Sequence, residues 1–452
     1  MKVVVIGTGK VGKTIVEHTT QEGHEVVIID KNANLIEDII DEFDVIGIVG
    51  NGASYDILKE AGVGKADLVI AATSSDETNI LSCLISQKIG AKATVARVRS
   101  YEYDNQFKII RDDLGITMPI NPEKETANEI TKILNFPEAI RVDSFAKGHV
   151  DLVELFIPEG SPLIGESLLS IYQTYQIKVL VCAVIRGNEA IIPTGSFTFE
   201  AKDKIYITAN SRQTLKSFLI KSGIVTSKLK SVIIVGGGKI SVFLGKELLK
   251  NKFDVKIIEE NNQRCQELST LLPNATIICG DGTDHHVLEE EGIDNTDAIV
   301  CLTGSDEENM ILGMYASQKN MKKVITKINK SSIVGLIEKV SLASVVSTKE
   351  ITSSKIVSYI RSVNNKRGSN VITLHKLLNN KVEALEFLAK ANKRLLDIPL
   401  RDLKLKKNIL IAAIIRNNEV IIPSGNDHIA LDDKVIVVTT NQFLEDLNEI
   451  LE

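Results

Sequence analysis

Gly7-Thr8-Gly9-Lys10-Val11-Gly12 is a G-x-G-x-x-G loop placed directly after the apolar run Val3-Val4-Val5-Ile6. Such a loop holds an anionic diphosphate without bonding to it covalently. Gly7 allows a tight turn, Gly9 lets backbone amides approach a pyrophosphate, and Gly12 permits close helix–sheet packing. The helix that follows directs the partial positive charge of its N-terminus at the phosphates. Asp30 stands 18 residues after Gly12, at the end of the next apolar run. A carboxylate there accepts hydrogen bonds from ribose hydroxyls and disfavours a 2′-phosphate, so NAD(H) is preferred over NADP(H). A glycine turn that binds nothing is the alternative reading.

Gly7 to Thr14 also satisfies G-x-x-x-x-G-K-[ST], the P-loop pattern, with Lys13 as its lysine and Asp30 ending a candidate Walker B strand. The chain contains a second copy of this region, and the copy argues against that reading. KSVIIVGGGKIS from Lys230 matches MKVVVIGTGKVG, so Gly236 pairs with Gly7 and Glu259 with Asp30. Ser241, Val242 and Phe243 stand where the first copy has Gly12, Lys13 and Thr14. What the copies share is G-x-G and an acid 23 residues after the first glycine. Lys13 is then a solvated helix residue. Serine at the third glycine position is expected to push helix and strand slightly apart, and Glu260 adds a second negative charge beside Glu259.

Other segments repeat at an offset one residue larger. Gly50-Asn51-Gly52 pairs with Gly280-Asp281-Gly282, and Ala66–Asn79 with Thr296–Asn309. Both fall after apolar runs, at the sheet edge where open α/β folds bind ligands. Thr73 and Ser74, like Thr303 and Gly304, suit that edge. Ser74 with Glu77 also forms a capping box, and Gly50–Gly52 also reads as a plain turn. Arg97, paired with Lys327, could face phosphate or form a surface ion pair. His285-His286 is not expected to hold a metal, because adjacent helical residues point to different faces and their counterparts are Tyr55 and Asp56.

The elements that position these residues follow from hydrophobic patterning. Val3–Ile6, Glu25–Ile29, Val45–Val49, Leu68–Ala71 and Thr94–Val98 read as buried parallel strands separated by amphipathic helices. That is a Rossmann-like, doubly wound α/β sheet. Pro122–Asn135 reads as a helix, with a counterpart near Lys349–Ile360. Shorter strands follow at Leu152–Ile157, Val179–Ile185, Ala190–Ile192 and Lys204–Ile207, giving a small α+β domain. Val181–Gly195 recurs as Ile411–Gly425, and Lys202-Asp203-Lys204 as Asp432-Asp433-Lys434. The chain is therefore a tandem duplication of a Rossmann domain and an α+β domain, with expected spans 1–121, 138–222, 229–347 and 368–452. The polar stretch 364–370 reads as the linker before the last.

Composition narrows the function classes. Fifty-three basic and 59 acidic residues give a net charge of −6, which argues against nucleic acid as the main ligand. No apolar run approaches the roughly 18 residues of a membrane helix, and the N-terminus leaves no room for a signal peptide. Five scattered cysteines without a CxxC pair read as reduced cytosolic thiols. A dehydrogenase would need a proton donor or acceptor beside the nicotinamide. His149, His375 and His428 occupy non-equivalent positions, and no catalytic constellation repeats. Two nucleotide folds without catalytic residues read as a sensor; an NAD-dependent oxidoreductase is the alternative.

The tandem order, GTGKVG with Asp30, the loops at Gly50 and Gly280, the two SDExN segments and the twice-occurring IRxNExIIPxG resemble the RCK/KTN family over essentially the whole chain. These are regulators of potassium conductance. The resemblance implies N-terminal and C-terminal RCK modules in each half, with NAD(H), and in addition ATP or ADP, at the sheet edge. It implies a homo-oligomeric, tetrameric ring on the cytoplasmic face of a Trk-type membrane potassium channel subunit, gating it without catalysis. Pro122–Asn135 and Lys349–Ile360 resemble the family's crossover helices. By position, the first site is Gly7, Thr8, Gly9, Lys10, Val11, Asp30, Asn51, Thr73, Ser74 and Arg97. The second is Gly236, Gly238, Lys239, Ile240, Glu259, Asp281, Thr303, Gly304 and Lys327. Ser241 and Asn51 depart from the family's usual glycine and aspartate.

Overall fold

The computed structural model describes residues 1–103, 106–136, 139–187, 189–224, 229–319, 321–330, 344–364, 371–377, 381–390, 392, 394–440, 444 and 446–452. Of the expected linker at 364–370, only Asn364 lies among them. The chain forms two compact units. One is Met1–Thr131 with Lys230–Ile360, the other Lys132–Leu229 with Arg361–Glu452.

The first half begins with β1 (Lys2–Ile6), α1 (Lys10–Gln21), β2 (Glu25–Asp30), α2 (Ala33–Glu42), β3 (Ile46–Val49) and α3 (Tyr55–Glu60). It continues with β4 (Leu68–Ala71), α4 (Asp76–Ile89), β5 (Thr94–Arg97), α5 (Phe107–Asp112), β6 (Met118–Ile120) and α6 (Pro122–Asn135). The six strands are parallel, in the order β3-β2-β1-β4-β5-β6. The order reverses between β1 and β4, so the loops leaving their carboxyl ends diverge and open a crevice. Both faces are covered: Val3 and Val5 belong to one core cluster, Val4 and Ile6 to another. This explains why the strands read as continuous apolar runs.

An antiparallel sheet follows, built from β7 (Ala139–Phe145), β8 (Val150–Phe156), β9 (Val179–Arg186), β10 (Glu189–Ile191) and β11 (Lys204–Ala209), with α7 (Leu168–Tyr175) and α8 (Arg212–Lys221). Its order is β10-β9-β11-β8-β7. The second half repeats the plan with β12 (Ser231–Val235), α9 (Lys239–Lys250), β13 (Asp254–Glu259), α10 (Asn262–Leu271), β14 (Thr276–Cys279) and α11 (His285–Glu290). Then come β15 (Ala298–Cys301), α12 (Asp306–Gln318), β16 (Lys323–Lys327), β17 (Ser344–Val346) and α13 (Thr348–Asn364). Its parallel order, β14-β13-β12-β15-β16-β17, is that of the first sheet. The last sheet comprises β18 (Val371–Leu377), β19 (Val382–Leu388), β20 (Ile409–Arg416), β21 (Glu419–Ile421) and β22 (Lys434–Thr439).

Four strands are absent from the pattern reading. β6 and β17 are three residues long at sheet edges, and β6 contains Pro119, which an edge tolerates. β7 and β18 break the apolar alternation with polar residues. Asp143 on β7 is 5% exposed. The residues repeated between the two antiparallel sheets turn out to be structural. Arg186 donates from Nε and Nη2 to the two carboxylate oxygens of buried Asp203, at 2.9 and 2.8 Å. Arg416 grips Asp433 in the same way, at 3.0 and 2.8 Å. Such a bidentate fork fixes β9 to the turn before β11, and β20 to the turn before β22.

Within the first unit the halves share a core. Ile356 and Ile360 of α13 pack in the same cluster as Val3, Val5 and Ile70 of the first sheet. Thr126 and Thr348 hydroxyls meet at 3.2 Å, and Lys355 pairs with Glu125. His18 Nε2 lies 3.4 Å from Glu350 Oε2. That hydrogen bond raises the His18 imidazole above its ordinary value of 6.5, over a burial contribution that lowers it. The same bond, against burial, holds Glu350 below the ordinary carboxylate value. The pair therefore stabilises the fold fully below His18's unfolded value, and the stabilisation is lost as pH rises through its raised folded value. At low pH it is lost again as Glu350 protonates. We expect the urea-midpoint difference between wild type and His18→Ala to shrink from about pH 5.5 to about pH 8.5; a constant difference would contradict the pairing.

Candidate functional site

Each glycine loop sits at the carboxyl end of a central strand. Gly7 has φ +92°, and a Cβ there would lie 2.7 Å from the Thr73 amide nitrogen. Gly236 has φ +99° and the same constraint against Leu302 and Thr303. Gly9 and Gly238 differ from these. A Cβ on either would meet no protein atom within 4 Å, so packing does not demand glycine there. They leave open room directly over the first turns of α1 and α9. Neither helix has a side-chain cap, whereas the next helix in each half is capped by Asn32 or Asn261. The amides at the starts of α1 and α9 thus face that open room, as a bound diphosphate requires. Beside the second loop lies an open cleft of about 470 Å³, lined by Gly237, Gly238, Glu259, Asn261 and Arg264 among others.

Lys10, Val11, Lys239 and Ile240 are the first residues of these two helices. Gly12 lies in the first turn of α1, and a Cβ on it would sit 1.9 Å from the Gly7 carbonyl oxygen. Ser241 occupies the equivalent place fully buried, donating its hydroxyl to the Gly236 carbonyl. The expected steric push is thus met by a hydrogen bond that ties helix to loop. Lys13 points elsewhere: its ammonium pairs with Glu42 at the end of α2.

The two acids hold the loops. Asp30 Oδ2 accepts from the Thr8 amide at 2.7 Å and the Thr8 hydroxyl at 2.9 Å, and Oδ1 accepts from the Asn32 amide at 2.9 Å. Burial pushes the Asp30 carboxyl up, but these bonds outweigh it and keep the group below the usual carboxylate range. Glu259 repeats the latch, with Oε2 accepting from Gly237 N at 2.6 Å and Oε1 from Asn261 N at 2.9 Å. Arg264 Nε adds a bond to the Gly237 carbonyl at 2.8 Å.

The strand-4 edge is organised by a residue that pattern reading passed over. Asn79, fully buried, accepts at Oδ1 from the Thr73 amide (2.8 Å) and hydroxyl (2.7 Å). It donates through Nδ2 to the carbonyls of Thr73 (3.2 Å) and Arg97 (2.9 Å). Asn309 likewise accepts from the Thr303 amide at 2.8 Å and donates to the carbonyls of Thr303 and Lys327 at 3.3 and 3.1 Å. The carboxylates of Asp76 and Asp306 accept from the two amides just beyond β5 and β16. Each SDExN segment thus staples the exits of two neighbouring strands. The repeat of Asn79 at Asn309 was the available signal. The helix cap is Ser75, accepting from Thr78 N at 3.1 Å, not Ser74, which is exposed. Ser74 precedes the capping position by one residue, so the expected Ser74–Glu77 box does not form. Ser305 caps α12 likewise, leaving Gly304 facing open space.

Arg97 and Lys327 are neither surface ion pairs nor freely solvated. Arg97 Nη1 donates to the Thr73 carbonyl at 3.3 Å, and Lys327 Nζ to the Thr303 carbonyl at 2.6 Å. Burial lowers both pKa values. Arg97 Nε is buried without an acceptor and Oε2 of Glu123 without a donor, while Glu123 Oε1 accepts from Arg99 Nε at 2.6 Å. Asn51 and Asp281 lie in the loops after β3 and β14, each accepting from an amide two residues on, at 3.2 and 2.8 Å. Asp284, His285 and His286 do come together, with the imidazole centroids 4.0 Å apart. The rule that helical neighbours diverge fails here because both lie at the start of a six-residue helix, beside its Asp284 cap. The three side chains are exposed.

The fold defines a class: a tandem α/β protein in which two Rossmann-like sheets alternate along the chain with two small α+β domains. Among the described residues no helix is long and apolar enough to cross a membrane. Models of the TrkA-N domain match residues 3–122 and 232–348, and models of the TrkA-C domain match 152–219 and 384–452. The Trk system potassium uptake protein TrkA of Vibrio alginolyticus is 30% identical over all of this chain and 99% of its own length. A TrkA homolog of Archaeoglobus fulgidus is 31% identical over the full length of both. A solved structure of the GsuK channel bound to NAD shares the fold, with a TM-score of 0.63 over 98% of this chain and 77% of that one, at 15% identity. The chain belongs to the TrkA family.

The staple predicts a measurable stability cost. Asn79→Ala leaves the part-buried Thr73 amide without its acceptor and should lower the unfolding free energy by about 1–3 kcal/mol. Asn309→Ala should cost a similar amount, both read from urea denaturation. A change below about 0.5 kcal/mol at either position would show that the staple is not needed.

Proposed function

We propose that the protein is a nucleotide-responsive regulatory subunit of a Trk-type potassium uptake system. Its ligand is NAD(H), with ATP or ADP as a second adenine nucleotide class. The observation that carries this reading is the pair of uncapped helix N-termini under glycines that no packing requires. They fit a pyrophosphate, and the Asp30 and Glu259 carboxylates at the ends of β2 and β13 fit ribose hydroxyls. The first site comprises Gly7, Thr8, Gly9, Lys10, Val11, Asp30, Asn51, Thr73, Ser74 and Arg97. The second comprises Gly236, Gly238, Lys239, Ile240, Glu259, Asp281, Thr303, Gly304 and Lys327.

The mechanism is conformational. A ribose that reaches Asp30 shares a carboxylate already holding the Thr8 amide and hydroxyl, so ligand binding and loop position are linked. Glu123, on α6, lies within electrostatic reach of Arg97 in one half and Lys327 in the other. A charged ligand near either cation therefore acts on the joint between the halves. A ligand shifts the equilibrium only by its differential affinity for the two states. Leu81 and Ile311 stand at equivalent positions on α4 and α12, 49% and 63% exposed. They support assembly of copies into a tetrameric ring, which works at the inner face of the membrane through its channel partner.

Rubidium flux into vesicles carrying the Trk membrane subunit tests this. Adding the protein with NADH, NAD, ATP or ADP should change flux at least about fivefold for one of them, and Asp30→Ala or Glu259→Ala should reduce that response. Flux indifferent to the protein under every nucleotide would overturn the reading. Substrate-dependent reduction of NAD by the protein alone would favour an oxidoreductase instead.

A further inference from the structure

Two of the five cysteines come together in the second half. Cys265, on the second turn of α10, and Cys279, the last residue of β14, bring their sulfurs to 3.0 Å. Both are free thiols. Cys265 is 7% exposed, whereas Cys279 is open to solvent. Cys265 Sγ also donates to the Glu259 carbonyl at 3.2 Å, and Cys279 Sγ to Asn262 Oδ1 at 3.2 Å. The first half has no such pair, because the equivalent residues are Ile36 on α2 and Val49 at the end of β3.

We propose that Cys265 and Cys279 are a reversible oxidation site, closing to a disulfide that weakens nucleotide binding at the second glycine loop. The effect on binding rests on the nucleotide reading above; the disulfide does not. The sulfurs need to approach by roughly 1 Å to reach the bonded distance of about 2.05 Å. Such a pair in a reducing compartment is a redox sensor and not a structural crosslink. The oxidant is a hydroperoxide. The Cys279 thiolate attacks its distal oxygen, the O–O bond breaks, and the departing alkoxide takes up the proton that Cys279 gave up. Cys279 is left as a sulfenic acid. Cys265 sulfur then attacks Cys279 sulfur, the S–O bond breaks, and water leaves with the Cys265 proton. Two thiols lose two electrons and two protons, and the hydroperoxide becomes an alcohol and water. Burial and the hydrogen bond that its thiol donates to Cys279 push the Cys265 thiol up to about 12. The exposed Cys279 therefore reacts first, and a dithiol reverses the bond.

The link to the second site is short. Arg264 precedes Cys265 and holds the Gly237 carbonyl, and the Asn261 side chain accepts from the Arg264 amide at 3.0 Å. Drawing Cys265 toward β14 moves the turn of α10 that lines the cleft beside Glu259. It also removes the thiol donor from the Glu259 carbonyl. A displacement of this size exceeds the tolerance of a preorganised site.

Two measurements on the full chain separate the claims. After tert-butyl hydroperoxide, alkylation and digestion, mass spectrometry should find the Cys265 and Cys279 peptides joined with loss of two hydrogens, reversibly with dithiothreitol. Cys265→Ser and Cys279→Ser should each abolish the product, while buried Cys83, Cys182 and Cys301 stay unmodified. Separate alkylation of both residues, or over-oxidation of Cys279 alone, would overturn the oxidation site. Calorimetry with NADH and ATP, in an Asp30→Ala background that leaves the second site reporting, should show about tenfold weaker binding once oxidised. Unchanged affinity with the cross-link formed would overturn the coupling. If the reduced protein binds neither nucleotide, the nucleotide reading fails and the cross-link result stands by itself.

Discussion

A carboxylate latched to the backbone of a glycine loop is the constraint on which the rest depends. Asp30 in one half and Glu259 in the other end the second strand of their sheets, and each accepts the amide of the residue after the loop's first glycine. The latch needs a strand that stops at the acid, a loop that turns through positive φ, and a helix packed close enough to keep its amides in line. The parallel sheet supplies the first, Gly7 and Gly236 the second, and Gly12 or Ser241 the third. The apolar strands buried on both faces make the platform stiff, and the SDExN staples hold the neighbouring edge against it.

The duplication acts as an internal control. Both halves keep G-x-G, the acid, the buried asparagine, the aspartate that ties the loop beyond the fifth strand, and a cation bound to the carbonyl after the fourth strand. They differ in the residues around that frame. Ser241 replaces a contact that forbids a Cβ with a hydroxyl bond to the same carbonyl. Lys327 makes one point contact where Arg97 offers a fork. Gly237 has no hydroxyl to match Thr8, so Glu259 holds its loop through the amide alone, and Arg264 supplies a second tie. The frame leaves open space beside Gly9 and Gly238 alike, while the residues around it differ between the halves.

Much of the fold was legible because its signals are strong. Strands buried on two faces read as apolar runs, and a repeat whose offset shifts by only one residue exposes equivalent residues without any alignment. β6 and β17 escaped because three residues at an edge carry almost no pattern, and β7 because it buries polar side chains such as Asp143. At the site, the glycines and acids were legible from type and spacing. The role of Asn79 was not, since a buried asparagine on a helix declares itself only through four hydrogen bonds made across two strand exits. Ser74 was one residue off as a cap, a slip that helix-boundary reading invites. The cysteines looked scattered because sequence spacing of fourteen residues hides a turn of helix and a strand end that fold back together.

Calorimetric titration of the purified protein with NADH, NAD, ATP and ADP, in wild type, Asp30→Ala and Glu259→Ala, tests the central claim most directly. The account predicts that NADH or NAD binds and that removing the Asp30 carboxylate, which frees the Thr8 latch and the ribose acceptor together, eliminates the first-site heat. Binding that survives both substitutions, or that occurs only with ATP or ADP and ignores both acids, would contradict it and place the ligand elsewhere than on the latched glycine loops.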